Sequence, residues 1–310
     1  MSQQPHQAAS EGNVFTHLLE ELGDHHGFYV GPYKLFELPV ILWDRGALHV
    51  YPSPTAMERA GLYRMVEGKP VRAADGQPPA LDLSITNLVV YQWLGMLLLG
   101  VLLWRTVRRY RAAALRPPRG LQNAIEAAVI FLRDEVVFSN IPHPSLRTRL
   151  LPYFLTLFSF ILILNLFGLF PGGHTATGSL AVTGALALTA FVVINGGAIA
   201  TIGLKKWLRH LLGGGPLWLA PILVPIEIIG MFAKAFALCV RLFANMTAGH
   251  IALLSLVGLI FFFGTVLVAP VSVAFSVFVY LLETLVAFLQ AYIFTILTAV
   301  FLGLASEDTH

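Results

Sequence analysis

PIEIIGMFAKAFALCVRLFANMTAGHIALLSLVGLIFFF, residues 225–263, contains no proline after its first residue and no cluster of turn-forming residues. Its 39 residues would extend about 58 Å as one α-helix, because each residue adds about 1.5 Å. A perpendicular membrane span needs only about 20 residues. A helix this long must tilt steeply, bend or project from the bilayer.

A second apolar stretch, residues 271–305, is also too long for one perpendicular crossing. Its 35 residues would extend about 52 Å, and the segment GTVLVAP (264–270) separates it from the first stretch. The sequence therefore predicts a long, steeply tilted helical hairpin formed by residues 222–263 and 271–305.

The composition is typical of a polytopic membrane protein. Hydrophobic residues make up 56% of the 310 residues and charged residues only 12%, with a mean hydropathy of +0.73. Soluble domains contain about 25% charged residues. We therefore expect an all-α polytopic membrane protein with about five membrane helices, in which a membrane domain (83–310) follows an extramembrane N-terminal region (1–82). Besides the hairpin, three apolar stretches are predicted to span the membrane: 85–104, 150–170 and 179–204.

Positive charge follows the first predicted span. The segment RTVRRYRAAALRPPRG (105–120) holds six arginines. Beside a membrane helix, such a run indicates the cytoplasmic side rather than a nucleic-acid site. The segment KKWLRH (205–210), which follows the third span, agrees with this orientation. We therefore expect region 1–82 outside the cell and the C-terminus in the cytoplasm, with the amphipathic stretch 121–138 along the cytoplasmic membrane surface.

Region 1–82 holds ten acidic and six basic residues and two short apolar runs, YKLFELPVILW (33–43) and ALHVY (47–51). This pattern indicates a small strand-containing domain or a partly ordered arm. The adjacent His25 and His26 are typical of solvated surface histidines. A metal site is the alternative, but no carboxylate or cysteine arrangement in the sequence supports it.

One arginine, Arg241, lies in the middle of the first long apolar stretch. Arginine does not lose its proton in proteins, and a charge at the bilayer centre costs about 2.5–3.5 kcal/mol or more. Glu227 and Lys234 precede it at intervals of seven residues, so the three lie about 20° apart around a helix. Asn245 shares the side of Arg241, whereas His250, nine residues further on, points to the opposite face.

The second helix of the hairpin carries Glu283 and Gln290, again seven residues apart on one stripe. Two polar stripes that face each other across a hairpin predict a local path of protonatable and hydrogen-bonding groups. Each member of these stripes needs a partner or a function, because polar groups at membrane depth are costly.

Structural roles are the alternative for most of these polar residues. Glu227 would cap the helix start or pair with a surface lysine, and Lys234 would extend to the cytoplasmic interface. Asn245 and Gln290 would form hydrogen bonds that hold helices together. His250 would be a hydrogen-bonded core histidine.

The stretch RLFANMTAGH (241–250) resembles subunit a of F-type ATP synthases, the membrane stator. The resemblance includes PIEIIGMFAKAFALCV (225–240) before it and LLETLVAFLQAYIFTILTAVFLGLASED (281–308) after it. It extends upstream through NLFGLFP (165–171) and LAVTGALALT (180–189). It is close over roughly the last 160 residues and weak over the first 80.

The resemblance implies roles for individual residues. Arg241 matches the essential arginine that faces the rotating ring of c subunits. His250 and Glu283 match the pair of positions that line the half-channel open to the outside. Asn245 and Gln290 match polar positions near the arginine.

Glu227 matches an acidic position of the cytoplasmic half-channel. The segment AKAF (233–236) departs from the family, because many members have a proline after the basic residue. This departure affects the expected geometry of the helix there and not the expected roles of the residues. In the mechanism that the resemblance implies, the charge of Arg241 stabilises the anion of each ring carboxyl group as it arrives, so that its proton leaves. The same fixed charge opposes a direct proton leak between the half-channels.

The expected partners are the c-subunit ring, the b-subunit peripheral stalk, the remainder of the ATP synthase complex and the lipid bilayer. No nucleic acid, cofactor or metal ion is expected, and ATP is made on other subunits. The single cysteine, Cys239, excludes an intrachain disulfide. A bacterial inner membrane is the expected location, because no transit peptide is visible.

Two other classes of function are weighed against this one. A self-contained ion or solute transporter would use Arg241 as an intramembrane anion site and predicts internal repeats, which the sequence lacks. An intramembrane metal enzyme would use His250 and Glu283 as ligands or as acid and base. Such a site would have a tight motif such as HExxH, which is also absent from the sequence.

Overall fold

The computed structural model describes residues 24–30, 33–66, 68–112, 120–170, 176–210, 217–263 and 268–307. Outside these ranges lie the first 23 residues of the predicted N-terminal region, part of the basic run, the GGGP segment and most of the predicted hairpin turn. Within them, five helices are long and apolar enough to cross a membrane, and the N-terminal part contains strands. The prediction of a mainly helical polytopic membrane protein is confirmed.

In the described residues of the N-terminal part there are seven short strands and one helix. They are β1 (Gly27–Val30), β2 (Tyr33–Glu37), β3 (Val40–Asp44), β4 (Ala47–Tyr51), α1 (Pro54–Arg59), β5 (Tyr63–Val66), β6 (Lys69–Arg72) and β7 (Leu81–Asp82). β1 pairs with β2 and β5 with β6, and β3 is the centre of an antiparallel β4–β3–β7 sheet. The β3–β4 turn places Arg45 and Gly46 at positive φ, as tight hairpin turns require.

The core of this N-terminal domain lies on one face of β3. Val40 and Leu42 alternate with outward residues and pack against Met57 of α1 and Tyr63 of β5. Asp44 is also buried, and Arg72 donates two hydrogen bonds to its carboxylate, at 2.6 and 2.7 Å. These bonds hold the pKa of Asp44 well below its usual value.

Seven α-helices are found in the described residues after the N-terminal part. They are α2 (Asn87–Ala112), α3 (Leu121–Phe131), α4 (Pro144–Leu169), α5 (Leu180–Ile202), α6 (Leu204–His210), α7 (Ala220–Phe263) and α8 (Ala269–Ser306). α3 continues directly as a π-helix, Leu132–Phe138. The two longest, α7 and α8, have 44 and 38 residues.

The boundaries of these helices differ from the predicted ones by up to eight residues. α4 begins at Pro144 instead of residue 150, because proline suits the first helical turn, where its missing N–H has no partner to lose. α7 begins at Ala220 and contains Pro225 in its interior. α2 continues through the arginines that follow the predicted span.

The chain divides into two compact units. The first comprises Met1–Gly95, Phe167–Ala176 and Gly249–Leu281, and the second comprises Met96–Leu166, Thr177–Ala248 and Leu282–His310. We call the second the bundle unit.

Two clusters of buried side chains hold the bundle unit together. In one, Ile161, Ala190, Leu242 and Phe294 bring α4, α5, α7 and α8 together. In the other, the π-helix packs Leu132, Val136 and Val137 near the end of α8. Gly303 of α8 lies there so close to the chain at Asn140 that an added Cβ would be 2.0 Å from the Asn140 carbonyl oxygen.

Candidate functional site

The site is built around Arg241 on α7. The side of α7 that packs inside the bundle unit is formed by Leu238, Cys239, Leu242 and Met246, all buried. Arg241 lies beside this stripe and is partly exposed. Among the residues that the structure describes, no carboxylate lies within 4.0 Å of its guanidinium.

Four exposed positions of α7 next to Arg241 are alanines: Ala233, Ala237, Ala244 and Ala248. At 100° per residue, these four lie within 80° of Arg241 around the helix. Small residues on a membrane helix allow another helix to approach closely. The arginine therefore lies at the edge of a surface suited to a closely packed helix.

Asn245, one turn after Arg241, contacts α8. Its Nδ2 donates a hydrogen bond to Oε1 of Gln290 at 2.8 Å. Gln290 is almost fully buried, and its Nε2 has no hydrogen-bond partner among the described residues. The structure thus brings together two of the residues that the sequence placed on facing stripes.

Glu283 lies two turns before Gln290 on α8, on the same stripe. It is partly buried, and within the described part of the chain its buried Oε2 has no hydrogen-bond partner. No hydrogen bond of this buried oxygen to a described residue therefore gives Glu283 a structural role.

A buried amide holds α8 between these two residues. Asn165 of α4 donates a hydrogen bond from Nδ2 to the carbonyl oxygen of Ala287, at 3.1 Å, and accepts one from the Thr177 hydroxyl at 2.8 Å. The sequence analysis did not assign a role to Asn165. Its signal was present, however, as an amide inside an otherwise apolar span.

His250 also lies on α7, where it is partly buried. It belongs to the first of the two units, whereas Arg241, Asn245, Glu283 and Gln290 belong to the bundle unit.

A separate cavity in the bundle unit contains Glu227 and Lys234. Side chains of α5, α6, α7 and α8 line it, and its other polar members are Asn195 and Trp207. The Lys234 ammonium lies 5.6 Å from the centroid of the Phe301 ring, within reach of a cation–π interaction. The sequence placed Glu227 and Lys234 on one side of a helix, but it gave no role to Asn195 or Trp207.

No metal centre is evident in the described residues. They contain no group of three or more His, Cys, Asp or Glu side chains that could hold a metal ion. The polar groups of this candidate site on α4, α5, α7 and α8 include the amides of Asn165, Asn195, Asn245 and Gln290, the carboxyl groups of Glu227 and Glu283, the Lys234 ammonium and the Arg241 guanidinium. The carboxyl groups can transfer protons, and the amides can donate and accept hydrogen bonds.

Comparison with known proteins adds independent evidence. Residues 89–303, well over half of the chain, match the family model described as ATP synthase A chain. ATP synthase subunit a of Chloroherpeton thalassium is 48% identical over 225 residues, which cover 72% of this chain and 67% of that protein. ATP synthase subunit a of Myxococcus xanthus is 48% identical over 231 residues, covering 74% and 75%. ATP synthase subunit a 2 of Prosthecochloris aestuarii is 49% identical over 227 residues, covering 73% and 69%.

The match extends over all five helices long enough to cross a membrane and includes every polar residue of α7 and α8 described above. The predicted resemblance is therefore confirmed. This chain belongs to the ATP synthase A chain family, the membrane stator subunit that takes part in proton transport within the ATP synthase complex.

Proposed function

We propose that this chain forms two offset proton half-channels against a rotating ring of c subunits, with Arg241 between them. The observation that carries the proposal is the position of Arg241. Its charge has no carboxylate partner among the described residues of its own chain, and it lies beside an exposed face of small residues. A carboxyl group on a neighbouring subunit would complete this arrangement.

The energetic reason is the cost of a buried charge. An arginine at membrane depth costs about 2.5–3.5 kcal/mol or more without a partner. A carboxylate that arrives on another helix reduces this cost, and the arginine in turn stabilises the anion. The alanines Ala237 and Ala244 on the adjacent face leave room for such a helix. As the ring turns, each carboxyl group would therefore lose its proton near Arg241.

We assign the outer half-channel to Glu283, His250 and the Asn245–Gln290 pair. Glu283 can accept and release a proton, and its Oε2 has no hydrogen-bond partner in the described residues. The amides of Asn245 and Gln290, which are bonded to each other, relay hydrogen bonds but do not titrate. In this assignment Glu283 and His250 carry the proton, and the amide pair holds α7 and α8 in place near Arg241.

We assign the cytoplasmic half-channel to the cavity that contains Glu227. Glu227 provides the protonatable group there, and Asn195 lines the same cavity. The Lys234 ammonium lies near the Phe301 ring, so we assign it to that contact. The carboxyl group of Glu227 is then the group that carries the proton along this path. A permanent positive charge at Arg241 then separates the two paths, because guanidinium does not lose its proton when it is desolvated.

The distribution of charge supports a cytoplasmic C-terminus. Exposed arginines lie in the C-terminal turns of α2, and Arg108 lies 5.3 Å from the ring centroid of the exposed Trp104, an arrangement typical of a membrane interface. Lys205, Lys206 and Arg209 are exposed after α5. The C-terminal ends of α2 and α5 would therefore lie on the positively charged, cytoplasmic side. The N-terminal domain would lie outside the bacterial inner membrane. The b-subunit peripheral stalk is the expected partner that holds this chain against rotation.

The decisive experiment replaces Arg241 and measures ATP-driven proton pumping in inverted membrane vesicles, at matched amounts of assembled complex. Arg241→Ala should abolish pumping, whereas Arg209→Ala, which removes an exposed arginine of α6, should pump normally. Arg241→Lys should also fail, because lysine loses its proton when desolvated. Normal pumping by assembled Arg241→Ala complexes would refute the proposal.

A further inference from the structure

The β4–β3–β7 sheet has a second apolar face, opposite the domain core. It carries six side chains in two rows of three across the strands: Leu48, Trp43 and Leu81 in one row, and Val50, Ile41 and Leu83 in the other. We call these six residues the apolar sheet face. Five of them are exposed, with Leu48 at 55% and Val50 at 59%, so no described part of the chain covers them.

Such a face is unusual on an extramembrane domain. An antiparallel sheet normally has one face on the core and one polar face toward water. In β3 both faces are apolar, since Val40 and Leu42 are buried on the other side. A contiguous exposed apolar surface of this kind marks a contact with a partner or a membrane.

The position of the apolar sheet face in the chain links it to the bilayer. β7 is the last strand before α2, which begins at Asn87 and is long and apolar enough to cross the membrane. Leu83 precedes Asn87 by four residues, a distance of at most about 14 Å. The headgroup region of a bilayer is itself about 5–8 Å deep on each side. The face therefore begins close to the membrane boundary of α2.

Hydrogen bonds hold the domain at this boundary. The backbone N–H of Asn87 donates to the carbonyl oxygen of His25 at 2.9 Å, and the N–H of His25 donates to Oδ1 of Asn87 at 3.1 Å. Ile85 donates to the carbonyl oxygen of Pro39 at 3.1 Å. Because the connection is bonded at several points, the sheet cannot move freely away from the start of α2.

We infer that the apolar sheet face rests on the lipid leaflet that α2 enters, with Trp43 at the level of the headgroups. The indole ring suits this boundary, because it combines a large apolar surface with one N–H donor. Leu48, Leu81 and Leu83 contact the upper part of the acyl chains. The inference depends on the membrane insertion of α2 and not on the proposed half-channels.

The test uses the assembled complex in lipid vesicles, with a small fluorescent probe on a single introduced cysteine. Cys239→Ala first removes the natural cysteine. Leu48→Cys then places the probe on the apolar sheet face. The control is Ala60→Cys, an exposed position after α1, because α1 packs through Met57 on the opposite side of the sheet. Quenching by brominated phosphatidylcholine reports contact with lipid, and quenching by iodide reports contact with water.

We expect the Leu48 probe to be quenched several times more strongly by brominated lipid than the Ala60 probe, and less strongly by iodide. In a chain labelled at Val50→Cys, adding Leu48→Asp should weaken quenching by brominated lipid and strengthen quenching by iodide. The reason is that a charge at residue 48 would separate the face from the bilayer. Equal access of iodide to both probes would overturn the inference. Protection from both quenchers would overturn it too, because the face would then be covered by protein.

Discussion

Replacing Asn165 by leucine should weaken the support that α4 gives to α8. The change keeps a branched side chain but removes both polar atoms. It therefore eliminates the hydrogen bond to the Ala287 carbonyl oxygen and the one from the Thr177 hydroxyl. In membrane proteins a side-chain hydrogen bond between helices contributes about 0.6 kcal/mol on average and up to about 1.7. For two such bonds, the free energy of unfolding should fall by about 1.2–3.4 kcal/mol.

Function should suffer as well, because Ala287 lies between Glu283 and Gln290 on α8. Unfolding of the purified chain is measured by SDS titration in mixed micelles, and proton pumping is measured at matched levels of complex. Thr177→Val removes only one of the two bonds and should cost about half as much. The free energy of unfolding of the double variant should lie within about 0.5 kcal/mol of that of Asn165→Leu alone, because Asn165→Leu already removes the bond that Thr177→Val removes. A neutral Asn165→Leu would show that this amide does not hold α8, and costs that simply add would show that Thr177 acts independently of Asn165.

Three further predictions follow from other contacts. Gly303→Ala should destabilise the chain by about 1–3 kcal/mol or more, because its Cβ would lie 2.0 Å from the Asn140 carbonyl oxygen. Gly196→Ala, where nothing lies within 4 Å of an added Cβ, should be tolerated, and the level of assembled complex distinguishes the two. Since the pKa of Asp44 is lowered in the folded state, its contribution is complete above the unfolded pKa of about 3.9 and is lost as pH falls below it. The protection factors of the β3 amides, which correct for the intrinsic pH dependence of exchange, should fall accordingly, and Arg72→Met should remove that fall; unchanged protection factors between pH 5 and pH 2 would contradict this. The Asn245–Gln290 bond should give a coupling of about 0.6 kcal/mol in a double-mutant cycle of Asn245→Leu and Gln290→Leu, and a coupling near zero would show that the two amides act independently.

The sequence predicted the membrane helices well, because long apolar stretches are determined by composition rather than by contacts. It predicted their ends less well. α4 begins at Pro144, directly before SLRTR (145–149), where hydropathy is low, so only the proline indicates the start. α7 extends five residues before Pro225, because a proline early in a long helix removes one hydrogen bond without ending it.

Contacts between residues far apart in the chain could be predicted only in part from the sequence. The heptad spacing placed Asn245 and Gln290 on facing stripes, and their hydrogen bond is present. Asn165 was missed, because its partner is a backbone carbonyl 122 residues away. The pairing of β3 with β7 was equally hidden, since β7 contributes only Leu81 and Asp82. The sequence indicated strands in this region but not their partners.

The π-helix at Leu132–Phe138 bears on how chains of this family can change in length. A π-helix accommodates one more residue per turn than the α-helix around it. Loss of one exposed residue there, such as Glu135, would let the segment close as an α-helix while Val137 and Ile141 still face the interior. The same loss inside α3 would rotate everything after it by about 100°. Single-residue gaps between relatives should therefore collect in Leu132–Phe138, where evolution can add or remove a residue without turning the bundle's packed faces outward.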